Sequence, residues 1–121
     1  MTTVAERVAA GAKFLDEHDP DWWRDDIKHP VNLWDLSLSS PRRCILGQRC
    51  PMEKRGGDFD SPYMEMAQSL SGIAPDSGDL LPWAAALGFE ASLTDFGVAY
   101  TEYGDLTDEW ARVIRERRAA A

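Results

Sequence analysis

The chain has 121 residues, with 21 acidic against 13 basic side chains and a net charge of −8. That length gives one domain, large enough to build a core without metal or disulfide staples. An apolar share of 44%, with five Trp, three Tyr and four Phe, excludes a disordered chain, and no apolar run approaches the roughly 20 residues of a membrane-spanning helix.

Charge is distributed unevenly. Between Arg55 and Arg112 there is no Lys or Arg, while that interval holds eleven carboxylates from Asp58 to Glu109. The bases gather at Arg42 to Arg55 and at Arg112 to Arg118. Affinity for phosphate backbones comes mainly from Lys and Arg, so direct nucleic-acid binding is not expected. The first residues carry an acid early and no apolar core region, so neither a secretory signal nor a membrane role is expected, and the expected location is cytoplasmic. In a reducing compartment Cys44 and Cys50 are expected to stay free.

The first helix starts at Thr3, where Thr3 and Glu6 have the spacing of a capping box. Val4, Val8, Ala12 and Leu15 then share a face. Gly11 inside this helix costs about 1 kcal/mol relative to alanine. That cost implies close approach of a neighbouring backbone or ring, with a tryptophan as the obvious candidate. Asp19-Pro20 predicts a second, short helix, in which Trp23 and Ile27 share a face and Trp22 is turned aside. One of the two indoles is expected in the core and the other at a half-exposed rim. His29-Pro30 stops that helix.

Val31 to Leu38 alternates like a strand on both sides of a phase slip at Trp34, which predicts an extended segment with a short strand at best. Ser40-Pro41 then opens a short helix through Cys44, Ile45 and Leu46 that ends at Gly47. Residues 48–60 read as a charged loop, with a second loop at 73–78; loops this long in small domains are more often functional or mobile than inert. Ser61-Pro62 opens a helix through Tyr63, Met66 and Leu70 to Gly72, and Asp79 opens another through Leu80 and Trp83 that is closed by Gly88. Phe89 to Ser92 could add a short strand. Thr94 or Asp95 opens a helical turn, and Leu106-Thr107-Asp108-Glu109 looks like a fresh helix start with Trp110, Val113 and Ile114 on its buried face. The class is mainly α, a single small domain of about five to six short helices with one extended segment or short strand.

Chemistry-bearing motifs are absent from the sequence. The spacing of Cys44, Cys50, His18 and His29 matches neither half of a structural zinc pattern. There is no phosphate loop, nucleophile elbow or HExxH, so no catalytic residue, metal or cofactor is expected. The bland reading of the four is a buried thiol at Cys44, a partly exposed one at Cys50 and two turn histidines. Trp and Tyr are enriched at binding hot spots, and Trp22 and Trp34 are each out of phase with their neighbours' buried face. With the charged loop residues Arg49, Lys54, Arg55, Asp58 and Asp60, these two are the candidates for a protein-interaction surface.

Gly11-Ala-x-Phe-Leu-Asp-x-x-x-Pro-x-Trp22-Trp23, Cys44-Ile-Leu-Gly-Gln48, Ala86-Leu-Gly-Phe89 and Leu106-Thr-x-x-Trp110 occur in that order over most of the chain. Together they resemble a group of small uncharacterised proteins encoded by actinobacteria and by phages and prophages infecting them. Arg49 to Ser61 and Gly72 to Asp79 are longer and more polar than that group's pattern. The resemblance implies an origin, with host cytoplasm as the location of a phage-encoded member, and it implies no activity.

Two functional readings follow. The first is a non-enzymatic binding protein that docks on a host or cellular protein and modulates it. The second is an acidic decoy whose carboxylates imitate nucleic-acid phosphates and occupy a DNA-binding or defence protein; it requires those carboxylates to form one surface stripe. A small enzymatic or metal-binding domain ranks third.

Overall fold

A computed structural model of the chain describes residues 3–51, 61–74, 76–91 and 96–121, with the backbone alone for 96–100. Five helices occur among them: α1 (Val4–His18), α2 (Ile45–Arg49), α3 (Pro62–Ser71), α4 (Leu80–Ala86) and α5 (Phe96–Ala120). The chain is mainly helical, and no strand forms among the described residues. Helix α1 packs on α4 and α5, and α3 joins α2 to α4.

Helix α1 forms where its cap predicts. Thr3 Oγ1 accepts from the Glu6 amide at 3.1 Å and donates to the Glu6 carboxylate, which satisfies first-turn donors that a helix leaves open. Val8, Ala12 and Leu15 line its buried face. A Cβ at Gly11 would stand 1.9 Å from the Leu87 carbonyl oxygen and 2.9 Å from the Trp110 ring. The helical cost of this glycine is therefore offset by direct contact of α1 with the end of α4 and with α5, and a tryptophan does supply the ring.

Tertiary packing replaces the expected helix after Pro20 with single turns. Trp22 is fully buried and meets Trp110 edge to face at 5.4 Å, while Trp23 stays half-buried. Arg118 donates to the Trp23 and Val31 carbonyls at 2.8 Å, and a helix would have needed the first of these for its own ladder. One indole inside and one at the rim is the outcome expected. Five rings then run in file through the core, Phe14 to Trp83, Phe89, Trp110 and Trp22, with successive centroids 5.4–5.8 Å apart.

The leucine run 31–38 buries Val31, Leu36 and Leu38 but pairs with no neighbouring strand. Side chains take over that role. Gln48 Oε1 accepts from the Asn32 amide at 2.6 Å, and Thr107 Oγ1 accepts from the Leu38 amide at 3.0 Å. Half-buried backbone groups need partners wherever they come from, and at Leu38 a side chain supplies one. Residues 89–91 are also without a strand.

Helix α2 starts at Ile45, later than expected, with Cys44 Sγ accepting from the Gly47 amide. It runs past Gly47, because that glycine lies inside the helix where the Pro41 turn crosses: an added Cβ would stand 2.2 Å from the Pro41 carbonyl oxygen. Helices α3 and α4 match their signals, with Ser61 capping α3 and Gly72 closing it at φ +73°; Asp79 makes no side-chain cap at α4. The Leu106-Thr107 start is overridden. Glu102, Leu106, Trp110 and Ile114 recur at four-residue spacing on one buried stripe, which favours a single continuous helix. Thr107 then bonds back to the Tyr103 carbonyl instead of capping a new helix.

Candidate functional site

Trp34 is 97% exposed, an outlier among the large apolar side chains of the described residues, of which Leu81, at 41%, is the next. Covering an indole removes on the order of 200 Å² of mostly apolar surface from water, so a ring left outside a packed core is available to a partner. The turn that carries it is well held. The Trp34 amide donates to Asn32 Oδ1 at 2.9 Å, and the Asp35 amide donates to the Asn32 carbonyl at 3.2 Å. Gln48 grips the same turn from α2, since its amide oxygen takes the Asn32 amide and its Nε2 donates to the Asn32 and Arg43 carbonyls at 3.2 and 2.9 Å. One side chain thus ties the 32–35 turn to the turn after Pro41.

The next residue of α2 does the same for the preceding loop. Arg49 pairs with Asp19 through two hydrogen bonds of 2.7 and 2.8 Å and donates to the His29 carbonyl at 2.8 Å. Planar two-point pairing of this kind fixes geometry as well as charge. Between the parts so held lies an open recess of about 360 Å³, lined by Lys28, His29, Pro30, Asp35, Arg42, Arg43 and Gln48.

Two expected interaction residues take other roles. Trp22 is interior: its ring packs on Trp110, Arg117 lies over it at 5.4 Å, and its Nε1 donates to Asp16 at 3.0 Å. No partner reaches it without opening the core. Arg49 is a largely buried clamp with 13% side-chain exposure, not a loose surface charge. Lys54, Arg55, Asp58 and Asp60 lie outside the described residues. Lys28, His29 and Gln48, which the structure brings to this recess, are not among the interaction residues expected from the sequence. The signal available was Gln48 at the end of the Cys44-to-Gln48 motif and the Arg42-Arg43 pair where the bases begin to gather.

A second polar cluster lies inside the fold. Arg7 pairs with Glu102, both largely buried, and also donates to the Ala85 and Glu90 carbonyls at 2.7 and 2.6 Å. Glu90 accepts from the Tyr103 hydroxyl. Burial holds the Glu90 carboxyl above the usual range, and the nearby Glu102 charge adds to the rise. Desolvation also raises the buried Tyr63 phenol, and the nearby Glu90 charge adds to that rise. Cys44 is pushed up to about 12 by burial, so at neutral pH it is a protonated, unreactive thiol. Cys50 is as buried as Cys44, at 1% exposure, and not partly exposed as expected. Neither cysteine is in a disulfide.

The histidines are apart in use: His18 stacks on Phe14 at 4.2 Å, and His29 borders the recess. Among the described residues no group of three or more His, Cys, Asp or Glu side chains converges as a metal site would require, and no helix is long and apolar enough to cross a membrane. The described carboxylates of the base-free interval do not act alike. Glu90 and Glu102 turn inward, and Glu109 pairs with Arg112. Comparison of the chain with protein-family models, curated proteins and solved structures finds no match in any of the three.

Proposed function

We propose that this chain is a small non-enzymatic binding protein that docks on another protein through Trp34 and the turn presenting it. The observation that carries the reading is an almost fully exposed indole on a backbone stapled by Gln48. A fixed loop loses little conformational freedom on binding, and that lowers the cost of docking. Aromatic anchors of this type dominate interface energetics. The resemblance to actinobacterial and phage-encoded small proteins supports a role in the host cytoplasm, acting on a host or cellular protein. The acidic-decoy reading has less support, because Glu90 and Glu102 are spent inside the fold.

The test is paired capture from an actinobacterial lysate with the wild-type chain and with Trp34→Ala as bait, identified by mass spectrometry. The reading expects a protein retained by the wild type and depleted at least about 30-fold with Trp34→Ala, matching a hot-spot loss of about 2 kcal/mol or more. Identical retention by both baits would refute it.

A further inference from the structure

Helix α2 carries both grips on the loops around Trp34 and is flanked by both cysteines of the chain. Cys44 is its N-cap and Cys50 its C-cap, each 1% exposed, with Gln48 and Arg49 between them. Gln48 holds the Asn32 backbone and the Arg43 carbonyl, while Arg49 holds Asp19 and the His29 carbonyl. A helix of five residues is too short to be stable by itself, so its shape depends on what its ends and sides touch.

Six residues at the helical rise set the two cysteine Cα atoms about 9 Å apart, against at most about 7 Å in a disulfide. The thiols therefore cannot join while α2 keeps its shape, and bridging them shortens the span by at least about 2 Å. The first half of the helix resists that movement. Ile45 and Leu46 are fully buried, the Gly47 amide donates to Cys44 Sγ, and Gly47 lies so close to the Pro41 carbonyl that a Cβ would not fit. The shortening falls instead on the last turn, at Gln48 and Arg49. The Gln48 hydrogen bonds, 2.6–3.2 Å long, do not survive a displacement of that size.

We propose that Cys44 and Cys50 form a redox switch on the docking turn: joined as a disulfide, they unwind the end of α2 and release the backbone that presents Trp34. The proposal rests on the docking reading and names its regulation. The oxidant is a low-molecular-weight disulfide. One cysteine thiolate attacks it, forming a mixed disulfide and expelling one reagent thiolate. The second cysteine thiolate attacks the protein sulfur of that mixed bond and expels the other. Two cysteine thiols are oxidised, and their protons end on the two thiols of the reduced reagent. Burial keeps Cys44 protonated in the closed helix, so exchange waits on opening of the last turn. The reduced chain is the form that docks.

The test equilibrates the wild-type chain in glutathione buffers of rising oxidised-to-reduced ratio. Intact mass and tryptic mapping report the bond, since cleavage after Arg43, Arg49 and Lys54 leaves it joining peptides 44–49 and 50–54. The linked pair should accumulate with the ratio, and the Asn32 and Trp34 amide resonances should leave their native positions in step with it. The Trp110 indole N–H, bonded to the Gly88 carbonyl, should keep its own. Capture of the Trp34-dependent partner should fall at least about tenfold, because docking must then fix the freed backbone anew, and dithiothreitol should restore it. Cys50→Ala and, separately, Cys44→Ala, each checked for folding by circular dichroism, should keep the turn and the partner at every ratio.

No linked peptides in fully oxidised glutathione, or a linked chain whose Trp34 turn keeps its resonances, would overturn the switch while leaving docking intact. Loss of the Trp110 resonance together with the turn, or equal loss of capture in the folded single-cysteine variants, would also overturn it. Release of the turn on oxidation, without any Trp34-dependent capture from the reduced chain, would overturn docking instead.

Discussion

Replacing Gly11 with alanine sets two effects against each other, and the structure decides the sign. Helix propensity favours alanine by about 1 kcal/mol in a helix interior, so sequence reasoning alone predicts a more stable protein. The new Cβ would lie 1.9 Å from the Leu87 carbonyl oxygen and 2.9 Å from Trp110. Neither neighbour yields easily. One is backbone, and the other is a fully buried ring whose Nε1 donates to the Gly88 carbonyl at 2.7 Å. Overpacking of a well-filled interior costs about 1–3 kcal/mol, and contact with fixed backbone puts this site at the upper end. The net expectation is a loss of about 2 kcal/mol, or roughly 30-fold in the folded-to-unfolded ratio.

Gly104 supplies the control. It lies in the interior of α5, exposed, with nothing near the position of an added Cβ, so Gly104→Ala should stabilise by about 0.5–1 kcal/mol. Urea unfolding followed by tryptophan fluorescence reads both variants. The midpoint should fall for Gly11→Ala and rise for Gly104→Ala, with unchanged slopes. A Gly11→Ala protein as stable as the wild type, or more so, would refute the proposed contact of α1 with Leu87 and Trp110.

Two further predictions concern the interior polar cluster. Glu102→Gln leaves the Arg7 charge buried with only carbonyl partners; removing one member of a buried ion pair costs about 3–5 kcal/mol. Urea unfolding should show a loss of at least about 3 kcal/mol, and a change within about 0.5 kcal/mol would contradict the pairing. Glu90, whose carboxyl burial raises, holds its proton more tightly folded than unfolded. Its protonation therefore adds stability as pH falls through the folded pKa towards the unfolded value, and that stability is absent at neutral pH. Measured from pH 7 downwards through the acid range, the stability of the wild type relative to Glu90→Gln should rise on acidification. A constant or falling difference would be the opposite sign.

Local signals foretold much of the fold. Thr3 with Glu6, Ser61-Pro62 and Gly72 marked the ends of α1 and α3 because caps act over one turn of chain. Gly11 announced a ring contact because a helix keeps a glycine there only against close packing. The failures share a physical cause, which is distance along the chain. No signal near Pro20 shows that Arg118 takes the Trp23 carbonyl, 95 residues on. Nothing near Leu106 shows that its stripe continues back through Glu102 to a buried pair with Arg7. The 31–38 run looked like a strand because its alternation is real, yet its amides find scattered partners: Gln48 takes that of Asn32, Thr107 that of Leu38, and local turns the rest that are bonded. At the candidate site Trp34 was legible from its broken phase. The recess was not, since it joins Lys28 and His29 to Arg42 and Arg43 only through the grip of Gln48 and Arg49.

The most direct measurement follows the five indoles of a 5-fluorotryptophan-labelled chain by fluorine NMR while the captured partner is added, with Trp34 assigned by its absence in Trp34→Phe. In the free protein Trp34 should show the full solvent isotope shift and Trp22 and Trp110 almost none, in keeping with their exposures. On binding, the Trp34 resonance should move and lose that shift while those of Trp22 and Trp110 stay in place. A bound state in which Trp34 keeps its free resonance and its solvent shift would contradict docking through this ring.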